Sequence, residues 1–163
     1  PLRALGVEKI YVTQFRNTTY RPGVEQLFST AMIREISRSG AFRLVNSKEE
    51  ADAIITGVVH LMDAVPGSTR EEVVEKGVTL DKKVQVASEY SASVHCTVTL
   101  EDKFGRQIFS RTATSSKVFP GYTATGDAGA TNSINNESEQ RLAVQYLASQ
   151  MMASIYQRMT DTF

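Results

Sequence analysis

The sequence predicts an α+β fold: a two-layer sandwich with a mixed sheet of about four to five strands, two helices on one face, and the order β-α-β-β-β-β-α. Three observations carry this. The run from Val84 to Glu101 alternates apolar and polar residues with period two, the mark of a strand with one face on a core. Val24 to Ile36 and Leu142 to Met159 repeat apolar residues at helical spacing. Strand-like runs stand on either side of the first of these segments, which suggests a parallel crossover unit.

Taken in order, Glu8–Phe15 reads as the first strand, with Ile10 and Val12 on one face and Tyr11, Thr13 and Phe15 on the other. Asn17–Arg21 carries turn chemistry, and Pro22 suits the first turn of a helix, where its missing N–H costs nothing. Val24, Leu27, Phe28, Ala31, Met32 and Ile36 form that helix's apolar stripe, and Gly40 stops it. Phe42–Val45 is a short strand expected parallel to the first, Ser47–Asp52 a charged connector, and Ala53–Met62 a third strand. Val65–Lys83, with Pro66, Gly67, Gly77 and many charges, is expected to be a long mobile hairpin connection.

In the alternating run, Val84, Val86, Tyr90, Ala92, Val94, Cys96, Val98 and Leu100 share one parity. Gln85, Glu89, Ser91, Ser93, His95, Thr97, Thr99 and Glu101 share the other, which faces water or a partner. At ~3.3 Å per residue the run spans roughly 55 Å, so it bends or projects past the body of the domain. Asp102-Lys103-Phe104-Gly105 is a hairpin turn with Gly105 where positive φ is needed, and Ile108–Val118 returns as the last strand. Phe119–Asn136 is rich in Gly, Ala, Thr, Ser and Asn and is expected to be a second mobile loop. Asn135 or Asn136 then caps the final helix, with Glu137 and Glu139 in its first turn. Leu142, Tyr146, Leu147, Met151, Ile155 and Met159 form its expected buried face.

The bulk properties narrow the function. A chain of 163 residues fits one domain, 1–163, able to bury its own core. Eighteen basic residues balance eighteen acidic ones, which argues against a dedicated nucleic-acid binder. The longest apolar run falls well short of the ~20 residues of a spanning helix. The chain opens on Pro1 rather than Met, which is read as a trimmed N-terminus, with any signal peptide or lipidated cysteine expected upstream.

Candidates for chemistry are sparse. His60 and His95 have no Cys, His or carboxylate at ligand spacing, so surface or interface histidines are expected, with no metal and no cofactor. The single cysteine, Cys96, falls on the apolar parity and reads as an inert core thiol. Asp127, Asn132, Asn135 and Asn136 lack the alternating spacing of a calcium loop, and Gly121, Gly126 and Gly129 make no dinucleotide fingerprint. Asn17-Thr18-Thr19 and Asn136-Glu137-Ser138 match the glycosylation acceptor pattern but are explained by turn and cap chemistry. No nucleophile has a base and an orienter, so no catalytic residue is expected and the chain is not read as an enzyme.

One cationic group stands out. Lys82 and Lys83 enter the long strand, and Lys117 lies near the end of its expected hairpin partner. Pairing through the Asp102–Gly105 turn would bring the three together, with Arg106 at the far end. A solvated face and an anion-binding strip, for instance for phosphorylated lipid, are both open readings.

Ile10-Tyr11-Val12 … Phe15-Arg16-Asn17-x-Thr19-x-x-Pro22-Gly23-Val24-Glu25 resembles the opening of the LptE family, lipopolysaccharide-assembly lipoproteins of Gram-negative outer membranes. The likeness continues through Leu27, Arg34-Glu35-Ile36, Phe42-Arg43-Leu44-Val45, Glu50-Ala51-Asp52-Ala53 and Thr56-Gly57-Val58. It returns at Leu100-x-Asp102, Gly105 and Ile108-Phe109. A similar cadence occurs in the amino-terminal domain of TolB-like proteins and in secretion-channel lipoproteins, so another envelope accessory module is the alternative.

The resemblance implies a lipoprotein on the periplasmic face of the outer membrane, held by an N-terminal lipid anchor upstream of this chain. It implies a partner, an LptD-type β-barrel, which the protein plugs and helps assemble, assisting lipopolysaccharide insertion into the outer leaflet. Lys82, Lys83 and Lys117 are then expected to contact lipopolysaccharide. Phe15, Asn17, Thr19, Pro22 and Gly23 are expected to serve as a structural motif or partner contact. The free protein is expected to be monomeric.

Overall fold

The computed structural model describes residues 2–67, 69–74, 82–87, 89–121 and 129–163, with side chains outside 68–88 and 122–136. Strands β1 (Lys9–Val12), β2 (Arg16–Asn17), β3 (Arg43–Leu44), β4 (Ala53–Pro66), β7 (Glu89–Asp102) and β8 (Gln107–Pro120) form one mixed sheet. A separate pair, β5 (Thr69–Val74) and β6 (Lys82–Ala87), continues the β4–β7 hairpin outward. The sheet order is β3-β1-β4-β7-β8, with β2 also on β4. Helices α1 (Val24–Ser39) and α2 (Gly129–Asp161) complete the fold. This is the α+β architecture and element order that the sequence predicts.

β1 lies parallel to β3, with Ile10 opposite Leu44, and parallel to β4, with Val12 opposite Ile55. The strand–helix–strand unit through α1 therefore closes within one sheet, as expected. β4, β7 and β8 form an antiparallel meander. Period two decides which side chains are covered. Ala92, Val94, Cys96, Val98 and Leu100 are fully buried, together with Ile10, Ala53, Ile55 and Val59. A bulge at His60 shifts the β4 register between Val59 and Leu61, so that Met62 and Ala64 turn toward the core instead of the odd-numbered residues.

Both helices cover this face. α1 buries Val24, Phe28, Ala31, Met32 and Ile36 and ends at Gly40, whose φ of 62° supplies the left-handed stop. α2 buries Ala143, Val144, Leu147, Ala148, Met151, Met152, Ile155, Tyr156 and Met159. The Ser39 and Tyr156 hydroxyls, 2.6 Å apart, link the two helices. Each fully buried aliphatic side chain contributes about 1.5–3 kcal/mol, so this layer contact, rather than intrinsic propensity, holds the helices in place.

Several expectations are corrected. The first strand is not continuous over Glu8–Phe15: it breaks after Val12, and Phe15 joins Ile10 and Val12 in the core instead of lying on the Tyr11 face. Pro22 precedes the helix rather than opening it, because Gly23, at φ 87°, takes the N-cap. The stretch 65–83 is not only a connection, since β4 runs to Pro66 and β5 pairs with β6; residues 68 and 75–81 lie outside the described ones.

The final helix begins at Gly129, so Asn135 and Asn136 are inside it rather than capping it. The rest of the expected 119–136 loop falls partly on 122–128, outside the described residues. Leu142 and Tyr146 are 59% and 45% exposed. Ala143 and Val144 are buried in their place.

Candidate functional site: the Asn17 turn, an uncovered sheet face and a two-stranded arm

The turn before α1 is fixed by one side chain. The Asn17 Oδ1 accepts bonds from the Thr19 N–H at 2.8 Å and the Thr19 hydroxyl at 2.6 Å. Its Nδ2 donates to the Arg21 carbonyl at 2.6 Å and to Glu25 Oε2 at 2.8 Å. Asn17 thus bonds the backbone of the turn and the first turn of the helix, as the sequence suggests for such a residue.

Behind the turn, the Phe15 N–H donates to the Ser29 hydroxyl at 2.8 Å, and that hydroxyl donates to the Glu25 carbonyl at 2.7 Å. The Phe15 ring lies where a side chain at residue 57 would be, so Gly57 is what allows it to enter the core. The polar atoms of Asn17 and Thr19 are spent inside the turn. What the turn presents outward is Tyr20, fully exposed, with Arg21 and Pro22 beside it. Tyr20 was not singled out from the sequence, although an aromatic at the apex of a polar turn is a recognisable signal.

The face of the sheet opposite the helices has no covering layer among the described residues. It carries Ser93, His95, Thr97 and Thr99 on β7 directly opposite Ser116, Thr114, Thr112 and Ser110 on β8, with Ser91 opposite the exposed Val118. Thr97 and Thr112 hydroxyls meet at 2.8 Å, and Thr99 and Ser110 at 3.2 Å. The bulged His60 brings its Nε2 to 2.8 Å from the Thr97 hydroxyl, extending the row across three strands. Tyr11, Ile54 and Val58 lie half-buried on the same face. This face is rich in hydroxyls, with Leu61, Val65 and Val118 also exposed beside the row.

Beyond Glu89, opposite Pro120, the sheet narrows to two strands. The Gly67 N–H donates to the Glu89 carbonyl at 2.8 Å, and the ladder then runs from Thr69 opposite Ala87 to Val74 opposite Lys82. This arm separates the three lysines that the sequence groups. Lys82 and Lys83 pair with Val74 and Val73, while Lys117 pairs with Ala92. From Lys83 to Ala92 is roughly 30 Å of strand at ~3.3 Å per residue.

The side chains of Lys82 and Lys83 lie outside the described residues. The Lys117 ammonium sits 3.5 Å from the Tyr146 ring centroid, on the helix side of the sheet. The hairpin partner of β6 is β5, not β8, and the expected three-lysine strip is not formed by strand pairing. Arg106, at the other end, binds Asp102 at 2.7 Å.

Electrostatics mark structure rather than chemistry here. The Asp52 carboxyl is held below the usual carboxylate range, chiefly by the Lys9 N–H at 2.8 Å, which outweighs the opposing effect of desolvation; the Glu8 N–H at 3.0 Å adds to it. Asp102 is lowered by the Arg106 N–H first and by its guanidinium. Burial pushes the Cys96 thiol up to about 12, as expected of an inert core cysteine. Among the described residues no group of three or more His, Cys, Asp or Glu is placed to hold a metal ion. No described helix is long and apolar enough to cross a membrane.

The described residues thus form a two-layer α+β domain with one bare hydroxyl-lined face and a two-stranded arm. The chain belongs to the LptE family, described as lipopolysaccharide-assembly, whose model matches residues 7–159. That membership supports an outer-membrane lipoprotein of the lipopolysaccharide-assembly kind, in a family of non-enzymatic accessory proteins.

Among solved structures, the chain is similar to the PelC dodecamer from Paraburkholderia phytofirmans at 16% identity and TM-score 0.55, covering 94% of this chain and 87% of that one. It is also similar to a hypothetical protein from Chlamydia trachomatis at 13% identity and TM-score 0.50, covering 91% and 95%. At these identities the likeness is one of fold. Comparison with curated proteins returned no match.

Proposed function

We propose that this protein plugs and helps assemble an LptD-type outer-membrane barrel and assists the insertion of lipopolysaccharide into the outer leaflet. It does so as a single domain on the periplasmic side, anchored by lipid at a site upstream of this chain. The observation that carries the reading is the bare sheet face. A plug in a water-filled lumen needs a surface that is polar yet firmly ordered. The opposed Ser and Thr rows of β7 and β8 supply one, and their hydroxyls satisfy one another.

In this reading the Asn17 turn, with Phe15, Thr19, Pro22 and Gly23, holds Tyr20 out toward the partner. Lys82 and Lys83 on the arm, and Lys117 separately on β8, are the residues proposed to meet lipopolysaccharide phosphates. The test is site-specific photocrosslinking from Thr112, Thr114 and Tyr20 in cells that express the barrel. Crosslinks from Thr112 and Thr114 to the barrel support the reading. Crosslinks only to further copies of this chain would replace it with the second reading, a homo-oligomeric envelope accessory protein, which the fold shared with the PelC dodecamer favours.

A further inference from the structure

A groove lies between α1 and α2, lined also by Met62 of β4. It has a volume of about 530 Å³, and Arg21 from the Asn17 turn, Arg34 from α1 and Arg141 from α2 line it. None of the three guanidiniums has an ion-pair partner among the described residues. One acidic side chain, Glu137, shares the lining, which leaves two net positive charges in one groove. Gln140 also lines it, and its side chain makes no hydrogen bond among the described residues. No side-chain nitrogen or oxygen among the described residues is both fully buried and unpartnered, so the Gln140 amide is open to the groove and to a ligand in it. Leu27 and Val144 give the same cavity an apolar wall.

We infer that this groove is a phosphate-binding site, in which Arg21, Arg34 and Arg141 surround a phosphomonoester group and the Gln140 amide donates to it. The charge fits: a phosphomonoester carries about −1.5 to −2 at pH 7, against two net positive charges here. The geometry fits as well, because guanidiniums reaching in from three separate elements can each offer a fork to a different phosphate oxygen. The apolar wall takes the carbon body to which the phosphate is attached. The site is distinct from Lys82, Lys83 and Lys117, and it does not depend on the barrel reading. The Asn17 turn gains a role from it, since its bond to the Arg21 carbonyl sets where Arg21 leaves the backbone.

The test is an amide chemical-shift titration of the full chain with two probes, inorganic phosphate and a short-chain phosphatidic acid below its micelle concentration. Shifts are expected for 21–34 and 137–149, with the lipid binding at least tenfold more tightly than phosphate. Equal affinity for the two probes would assign the same site to free phosphate rather than a lipid headgroup. Arg34→Gln and Arg141→Gln, both at exposed positions, should each weaken binding at least tenfold with an unchanged melting temperature. Shifts confined to 82–87 and 115–119, or unaltered affinity in both variants, would overturn the site. The wild-type shift map alone decides the location if either variant folds poorly. Barrel crosslinking from Thr112 in the same variants separates this failure from failure of the plug reading.

Discussion

Replacing Gly57 by alanine tests the packing on which the Asn17 turn rests. A Cβ built at Gly57 falls within the Phe15 ring, with Cε2, Cδ2 and Cζ as its nearest neighbours. The Phe15 ring is 2% exposed and its backbone is tied to Ser29, so it has little room to retreat. Overpacking a core costs about 1–3 kcal/mol, and full loss of a buried Phe side chain about 3–5 kcal/mol, which bounds the effect from above. Alanine in a strand recovers roughly 0.5–1 kcal/mol relative to glycine.

The net expectation for Gly57→Ala is therefore about 2–3 kcal/mol of destabilisation. With a urea slope near 2 kcal/mol/M, that is a midpoint shift of roughly 1–1.5 M, or roughly 5–10 °C in melting temperature. Equilibrium urea denaturation measures it. A double-mutant cycle with Phe15→Leu supplies the control, because the smaller side chain should relieve the collision and leave the double variant more stable than additivity allows. A change below about 0.5 kcal/mol for Gly57→Ala, or strict additivity in the cycle, would refute the claim that Gly57 exists to admit Phe15.

Three further outcomes are expected. Asn17→Ala removes four bonds in the turn and should cost about 1–2 kcal/mol in urea denaturation, partly offset because the site is half-exposed. Asp52→Asn should cost about 1 kcal/mol at pH 7. Because the folded carboxyl titrates below its ordinary value of 3.8, the stabilisation is complete above that value and is lost as pH falls through the lower, folded one. The gap between wild type and Asp52→Asn should therefore close in acid titration below 3.8, and a gap independent of pH would contradict the assignment. Cys96, fully buried and with its thiol pushed up to about 12, should resist alkylation of the folded chain at pH 8 and react only on unfolding.

The sequence by itself determined the elements whose pattern is enforced by a single core. The parity of β7 was legible because a strand buried on one face must alternate. Ala92, Val94, Cys96, Val98 and Leu100 are all fully buried as that rule requires. The stripe of α1, its stop at Gly40, the turn at Gly105 with φ 81° and the Asn17 turn were legible for similar reasons, since each needs a particular residue locally. The family, too, was carried by residues that hold this turn and the strands around it.

What only the tertiary structure decided depends on contacts between distant parts of the chain. Phe15 crosses to the core face because Gly57, on another strand, leaves space for it. β5 pairs with β6 although Arg70, Glu71 and Glu72 lack the alternation that β6 keeps at Val84 and Val86, so the partner of β6 is set by the hairpin register and not by a pattern in β5. The start of α2 at Gly129 is invisible to propensity, which is low across its Gly, Thr, Ser and Asn residues. The lysines part and the arginines gather for the same reason: strand register and helix packing, which no local pattern encodes, set Lys117 opposite Ala92 and bring Arg21, Arg34 and Arg141 around one groove.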